Sequence, residues 1–414
     1  MAFQQRRRNR LRKQLFQPQL SEFSKTVHVR SSPLQIDLSM SRLSDHFPDP
    51  LPWRALVAPL ARAEDALARL DERLAKSPIR EGWIARTHFA DAVAALWIEG
   101  ELVHIEDLVL HDAGMDVRAP THELTRAHAV LRSRRRIADA ASGWALSPIG
   151  LEALRGRAGE AASRRDEADD DEPVENDDEA SAPLAVRDDE ELSELFASVD
   201  AAIAQADKAL AGEARLPPPL AAERDPLVYD LDWDEDARLA EWRALVEDTR
   251  DLPPTLAAAL AHEAWRAIEP LQHAPGLGRL LAAALLRERG KTRAHLACLA
   301  EGAKAVPRER RRSRDAATRL VAELEAIAAA AEEGLKQHDR WRLAHATLTR
   351  KLDGRRTTSH LPELIALVIS RPLVSAGMIA RAIGVTPRAA QNLVAALGLR
   401  EATGRGRYRA WCVL

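Results

Sequence analysis

"SAGMIARAIGVTPRAAQNLVAALG", Ser375 to Gly398, holds two short apolar-periodic runs joined by a Gly-Val-Thr-Pro hinge. Ser375 stands as a cap before Met378, Ile379, Ala382 and Ile383, and Gly384 ends that run. Thr386 caps the next, with Pro387 in the first turn, where its missing N–H costs nothing. A short helix, a three- to four-residue turn containing Gly and a second helix form the helix-turn-helix pattern. If Ala389 or Ala390 is buried with Leu393, Val394 and Leu397, then Thr386, Arg388, Gln391 and Asn392 face outward near the N-terminus of the second helix, where a recognition helix meets base edges. Arg matches the paired acceptors of guanine, and Gln or Asn the donor and acceptor of adenine.

The flanks agree with that pattern. "HLPELIALVISRP", His360 to Pro372, supplies a preceding helix started by Leu361 and Pro362. "LREATGRGRYRAW", Leu399 to Trp411, reads as an apolar exit, a tight Gly404-Arg405-Gly406 turn and a return strand. This is a β-wing whose Arg405, Arg407 and Arg409 would reach phosphate. From Arg371 to Leu414 there are seven arginines against one acid, Glu401, a local net charge of about +6. Attraction to phosphate, with steep salt dependence, is the expected consequence. Residues 355–414 are therefore expected to form a winged helix-turn-helix domain whose partner is double-stranded DNA. A homodimer is expected, because such domains usually read paired half-sites.

A chain of 414 residues exceeds what one core usually holds. With 46% hydrophobic but only 4% aromatic residues, it favours helices packed on small and aliphatic side chains, and we expect a mainly α protein. The net charge of -3 hides a segregated distribution. "RRDEADDDEPVENDDEASAP", Arg164 to Pro183, is strongly acidic, whereas the last segment is basic. Two cysteines, Cys298 and Cys412, exclude a disulfide framework and a Cys-rich zinc site, so neither metal nor cofactor is expected. No run is long enough to cross a bilayer, and "MAFQQRRRNRLRKQLF" has the charges of a signal peptide without its apolar segment. A cytoplasmic protein is expected. The sequence contains no phosphate-binding Walker loop, HExxH helix or Gly-x-Ser-x-Gly elbow.

Along the chain, residues 1–49 read as a disordered basic leader. Upstream sequence with translation starting at Met40 is the preferred account; a targeting leader and a nucleic-acid-binding arm are the alternatives. Residues 50–157 read as an N-terminal helical unit. Leu56, Leu60, Ala63, Leu67, Leu70 and Leu74 recur at helical steps, and a further helical run leads through "THFADAVAALWIEGELVHIEDLVLHDAG" to Gly114. Residues 158–190 have too little apolar surface to offset the entropy of ordering and read as an acidic disordered linker, a solvated spacer before a mask for the basic C-terminal end. Residues 191–354 read as a central helical block, in which Leu320, Leu324, Ile327, Ala331 and Leu335 form one stripe.

Within that block, "HEAWRAIEPLQHAPGLGRLLAAALLRERG", His262 to Gly290, resembles the active-site loop and helix of Fic-domain proteins, a family that transfers AMP or another phosphate-containing group to a hydroxyl. Ile268, Pro270, Gly276, Gly278 and Arg279 match its signature. Glu269 stands in place of the family's His and Leu277 in place of its Asn, and the loop is two residues longer. The resemblance implies phosphate binding by Gly276, Gly278 and Arg279, with a nucleotide or small molecule as effector, but no catalytic residue. His273 is the alternative base in the loop, though exposure is the commoner role for such a His. "AALWIEGELVHIEDL", Ala94 to Leu108, resembles the inhibitory helix that precedes many Fic cores, and by that likeness Glu99 would inhibit by contacting Arg279; the plainer reading is a surface acid. More widely, "LPWRALVAPLARAEDALARLDERL", "WIEGELVHIEDLVLHDAG" and the C-terminal helices are similar to an uncharacterised family of rhizobia and their relatives, which supplies no active site.

The expectation is thus a sequence-specific DNA-binding transcriptional regulator, more a binding protein than an enzyme, whose degenerate Fic-like body senses or assembles. The alternatives are a divergent Fic-type AMP or phosphate-group transferase autoinhibited by Glu99, and a scaffold without DNA binding. Two arginine clusters, Arg132 with Arg134 to Arg136 and Arg308 with Arg310 to Arg312 and Arg314, read as solvated ends before extensions of a nucleic-acid surface.

Overall fold

The computed structural model describes residues 46–48, 50–115, 119–155, 232–352, 359–402 and 409–413. The acidic linker and residues 191–231 of the expected central helical block lie outside them, as does the leader through residue 45. The chain divides into Met1–Ser41 and a unit from Arg42 to Leu414, and all that follows concerns the second.

The fold is mainly α. Helices α1 (Trp53–Ala75), α2 (Arg80–Glu99), α3 (Ile105–Asp112), α4 (His122–Asp139) and α5 (Pro148–Leu154) come first. Then come α6 (Glu235–Asp248), α7 (Pro254–Ile268), α8 (Leu277–Glu288), α9 (Leu299–Lys304), α10 (Arg308–Arg311) and the 35-residue α11 (Ala316–Arg350). The C-terminal part consists of α12 (Leu361–Ser370), β1 (Val374–Ser375), α13 (Ala376–Ile383), α14 (Pro387–Leu397), β2 (Arg400–Glu401) and β3 (Ala410–Cys412).

Of the ladder of α1, Leu56, Ala63, Leu67, Leu70 and Leu74 are buried and Leu60 is half-buried. Their partner is α11, which lies along α1 and buries Leu320, Leu324, Ile327 and Ala331. Ion pairs Arg62–Glu332 and Arg73–Asp339, both 2.7 Å, line the rim of that contact. At the centre, α7 is buried on nearly every side from Thr255 to Trp265, and its alanines allow α6, α8 and α11 to approach closely. Trp242 of α6 meets Trp265 of α7 edge to face at 5.2 Å and donates its indole N–H to the Ala261 carbonyl.

The run read as one helical stretch ending at Gly114 is broken in the middle. Gly100 caps α2 at φ 102°, and the chain restarts at Ile105 as α3. The left-handed conformation terminates the helix there, and α3 leaves in a direction set by its own packing on α2 and α4.

The three short strands form an antiparallel sheet in the order β1-β3-β2, with Val374 opposite Trp411 and Arg400 opposite Cys412. The chain order strand, helix, helix, strand, strand is that of a winged helix-turn-helix.

Candidate nucleic-acid interface

The local chemistry of α13 and α14 follows their sequence closely. Ser375 Oγ accepts from the Met378 amide and Thr386 Oγ1 from the Ala389 amide, both at 3.2 Å, so each helix has its side-chain cap. Gly384 takes φ 73° between them, a turn that a β-carbon would strain. In α14, Ala390, Val394 and Leu397 are buried while Ala389 and Leu393 are half-buried. Thr386, Arg388, Gln391 and Asn392 are all exposed, on the N-terminal half of the helix. Of the wing arginines, Arg405 and Arg407 lie outside the described residues. Arg409 turns along the sheet, donating to Glu401 Oε2 at 2.6 and 3.0 Å.

The sequence did not reveal how this domain is held. Arg86 of α2 is buried and donates to the carbonyls of Val368 (2.7 Å), Ile369 (3.0 Å) and Arg371, the free end of α12, while its guanidinium stacks 3.7 Å over Trp341. Burial pulls Arg86 down to about 9, which leaves it charged at neutral pH. A cation at a helix C-terminus also meets the negative end of the helix dipole. A second clamp is centred on Asp112, which accepts from Arg135 at 2.5 and 3.0 Å and lies 3.4 Å from His128 and 3.5 Å from Arg371. Burial alone would raise its pKa; His128 and Arg135 hold it well below the usual carboxylate range. Leu373, Met378 and Ala410 share one hydrophobic core with Phe89, Leu108 and Leu131 of the body. The available signal was a charged Arg86 on the apolar stripe of Trp83 and Phe89, which invites a buried partner.

Residues singled out by the Fic resemblance occupy two separate places. Gly276 is the cap of α8, with no side-chain cap, and Glu99 Oε1 lies 2.8 Å from where its β-carbon would stand. Glu99 pairs with Arg126, and the contact to Arg279 that the resemblance implied is not made. Arg279 points instead toward α11, where Glu323 receives it at 3.2 and 3.3 Å. Gly278 is buried against Trp265, whose ring a β-carbon would meet at 2.5 Å. Glu269 caps α7 at φ 49°, with its carbonyl accepting from the Trp233 indole. His273 is exposed, as expected of a His in such a loop, and one ring nitrogen lies 2.9 Å from the Arg155 carbonyl.

His262, Glu263 and Glu323 bring ligand atoms within 4.8 Å of one another. Guanidinium groups already meet both carboxylates: Arg266 and Arg319 reach Glu263 at 2.7 and 2.6 Å, and Arg279 reaches Glu323. Burial would raise Glu323, but Arg279 and His262 hold it well below the usual carboxylate range. A metal ion there would have to displace these cations. The two arginine clusters also turn inward in part, Arg134 being fully buried on Asp91 and Arg311 buried on the Val306 carbonyl.

No helix among the described residues is long and apolar enough to cross a membrane. Residues 361–414 match an HTH DNA binding domain, and residues 227–353 match a family described as Protein of unknown function (DUF1612). The Uncharacterized protein y4cF of Sinorhizobium fredii (strain NBRC 101917 / NGR234) is 51% identical over 371 residues, which cover 87% of this chain and 97% of that protein. With a helical body and a C-terminal helix-turn-helix DNA-binding domain, the chain belongs to the family of that rhizobial protein.

Proposed function

We propose that this protein is a cytoplasmic, sequence-specific transcriptional regulator that acts as a homodimer and reads the major groove with α14. The observation that carries the reading is the division of α14: Ala390, Val394 and Leu397 anchor it, while Thr386, Arg388, Gln391 and Asn392 stand exposed at its N-terminal half. Arg, Gln and Asn offer paired donors or donor and acceptor that fit purine edges. Thr386 and the arginines of the wing, Arg405, Arg407 and Arg409, would position the domain on phosphate. The Fic-like body serves sensing or assembly; phosphate transfer is disfavoured because Arg279 is held by Glu323 and Gly278 is packed under Trp265.

Fluorescence anisotropy of the full chain on mixed-sequence duplex DNA tests this. Binding should weaken linearly in log-log with salt, and Arg388→Ala should lower the affinity and reduce the salt slope by about 1 if Arg388 meets phosphate, or relax base preference if it meets guanine. Absence of binding at low salt would overturn the reading.

A further inference from the structure

Between α2, α4 and the start of α8 lies a cleft of about 540 Å³, within the range of small-molecule sites. Its apolar surface comes from Leu96, Val130, Leu277 and Leu280. Four arginines stand in its walls, Arg126, Arg132, Arg136 and Arg155, against one lining acid, Glu99. The N-terminal end of α8 opens onto it through Gly276, with no side-chain cap. Arg155, 6% exposed, has an Nε without a hydrogen-bond partner among the described residues, although its other nitrogens bond Glu152, Glu235 and Asp236. Arg126 already holds carboxylates, those of Glu99 and Glu101. Arg136 donates to the Ala153 carbonyl and lies over the Trp144 ring. An apolar floor with a guanidinium-rich wall selects an amphipathic anion, because each part of such a ligand meets a matching surface. A volume of about 540 Å³ suits a small molecule and not a duplex.

We propose that this cleft binds a small organic anion, a carboxylate or phosphate on an apolar body, and that α4 transmits its occupancy to the DNA-binding domain. One side of α4 presents Arg126, Val130, Ser133 and Arg136 to the cleft. The opposite side carries His128 and Arg135, which grip Asp112, and Asp112 in turn faces Arg371 at the α12 to β1 junction. A ligand that draws the arginines inward moves the helix that holds the clamp. The regulatory half of the proposal rests on the DNA-binding reading above; the binding half does not.

The test uses the full chain and 8-anilinonaphthalene-1-sulfonate, an aromatic anion, beside its neutral counterpart N-phenyl-1-naphthylamine. The anion should bind saturably at one site and at least tenfold more tightly than the neutral probe. Arg132→Ala with Arg136→Ala should raise its Kd at least tenfold, while the Lys pair at the same positions keeps it within about threefold. Both sites are exposed, so unchanged melting of the variants separates lost binding from lost fold. Bound anion should alter amide exchange across residues 361–375, and shift DNA affinity by roughly 5- to 100-fold. Equal binding of the neutral probe, or indifference to the double Ala variant, would overturn the site, as would a double variant that weakens only DNA binding. Probe binding without any change in exchange at 361–375 would overturn the transmission. Failure of the chain to bind DNA at all would strike the functional reading and leave the probe and exchange measurements to judge the cleft.

Discussion

Replacing Arg86 by Met removes three hydrogen bonds to the end of α12 while keeping most of the side-chain volume. A hydrogen bond from a charged donor contributes roughly 1.5–3 kcal/mol, and the carbonyls left behind face a buried interface. Against that stands the relief of no longer desolvating a guanidinium, an effective penalty of several kcal/mol. The stack on Trp341, 3.7 Å away, adds a further loss. The balance is a destabilisation of about 2–4 kcal/mol. Its location matters as much as its size, since the bonds join the DNA-binding domain to α2 and hold neither part together internally. Urea unfolding followed by tryptophan fluorescence should show a lower midpoint, and amide exchange over residues 361–371 should accelerate roughly 30-fold or more, with α7 much less affected. A loss below about 0.5 kcal/mol, or exchange accelerated equally in α7, would refute the argument that Arg86 fastens the domain.

Glu269→Gly should stabilise the protein by about 0.5–1 kcal/mol: a left-handed residue with a β-carbon costs roughly 1–2 kcal/mol and glycine's extra chain entropy offsets roughly 0.5–1, so an unchanged or lower urea midpoint contradicts it. Gly278→Ala should cost about 1–3 kcal/mol, read as a drop in the same midpoint, because the added methyl meets the Trp265 ring. Asp71 gives a pH signature. Burial pushes its carboxyl up, but the His295 ring, the Ala294 amide and Arg293 outweigh that and bring it to about 2, below its ordinary value near 3.8. A depressed pKa contributes stability above the unfolded value, so this contribution should be intact above about pH 5 and fade as pH falls through 3.8 toward 2. The stability gap between the native chain and Asp71→Asn should close over that window; a gap constant with pH would exclude the assignment.

Helix periodicity, caps and turn glycines were legible because they are local. Ser375, Gly384, Thr386 and Pro387 specify the two helices of the helix-turn-helix by contacts within four residues, and the leucines of α1 declare a buried face whatever covers it. The mainly α class and the outward set on α14 follow from the same local rules. What lay beyond them was the partner of each face. Nothing in the spacing of α1 names α11, and nothing near Arg279 names Glu323, 44 residues away. Arg86 and the last turn of α12 are separated by more than 280 residues, and the energy that joins them exists only once burial has removed water from both. Sequence determined the elements and the chemistry they carry, because hydrogen bonds to near neighbours and apolar period are properties of a short stretch. Tertiary structure decided which charges meet, since a buried guanidinium takes whatever acceptor the packing of distant helices brings within reach.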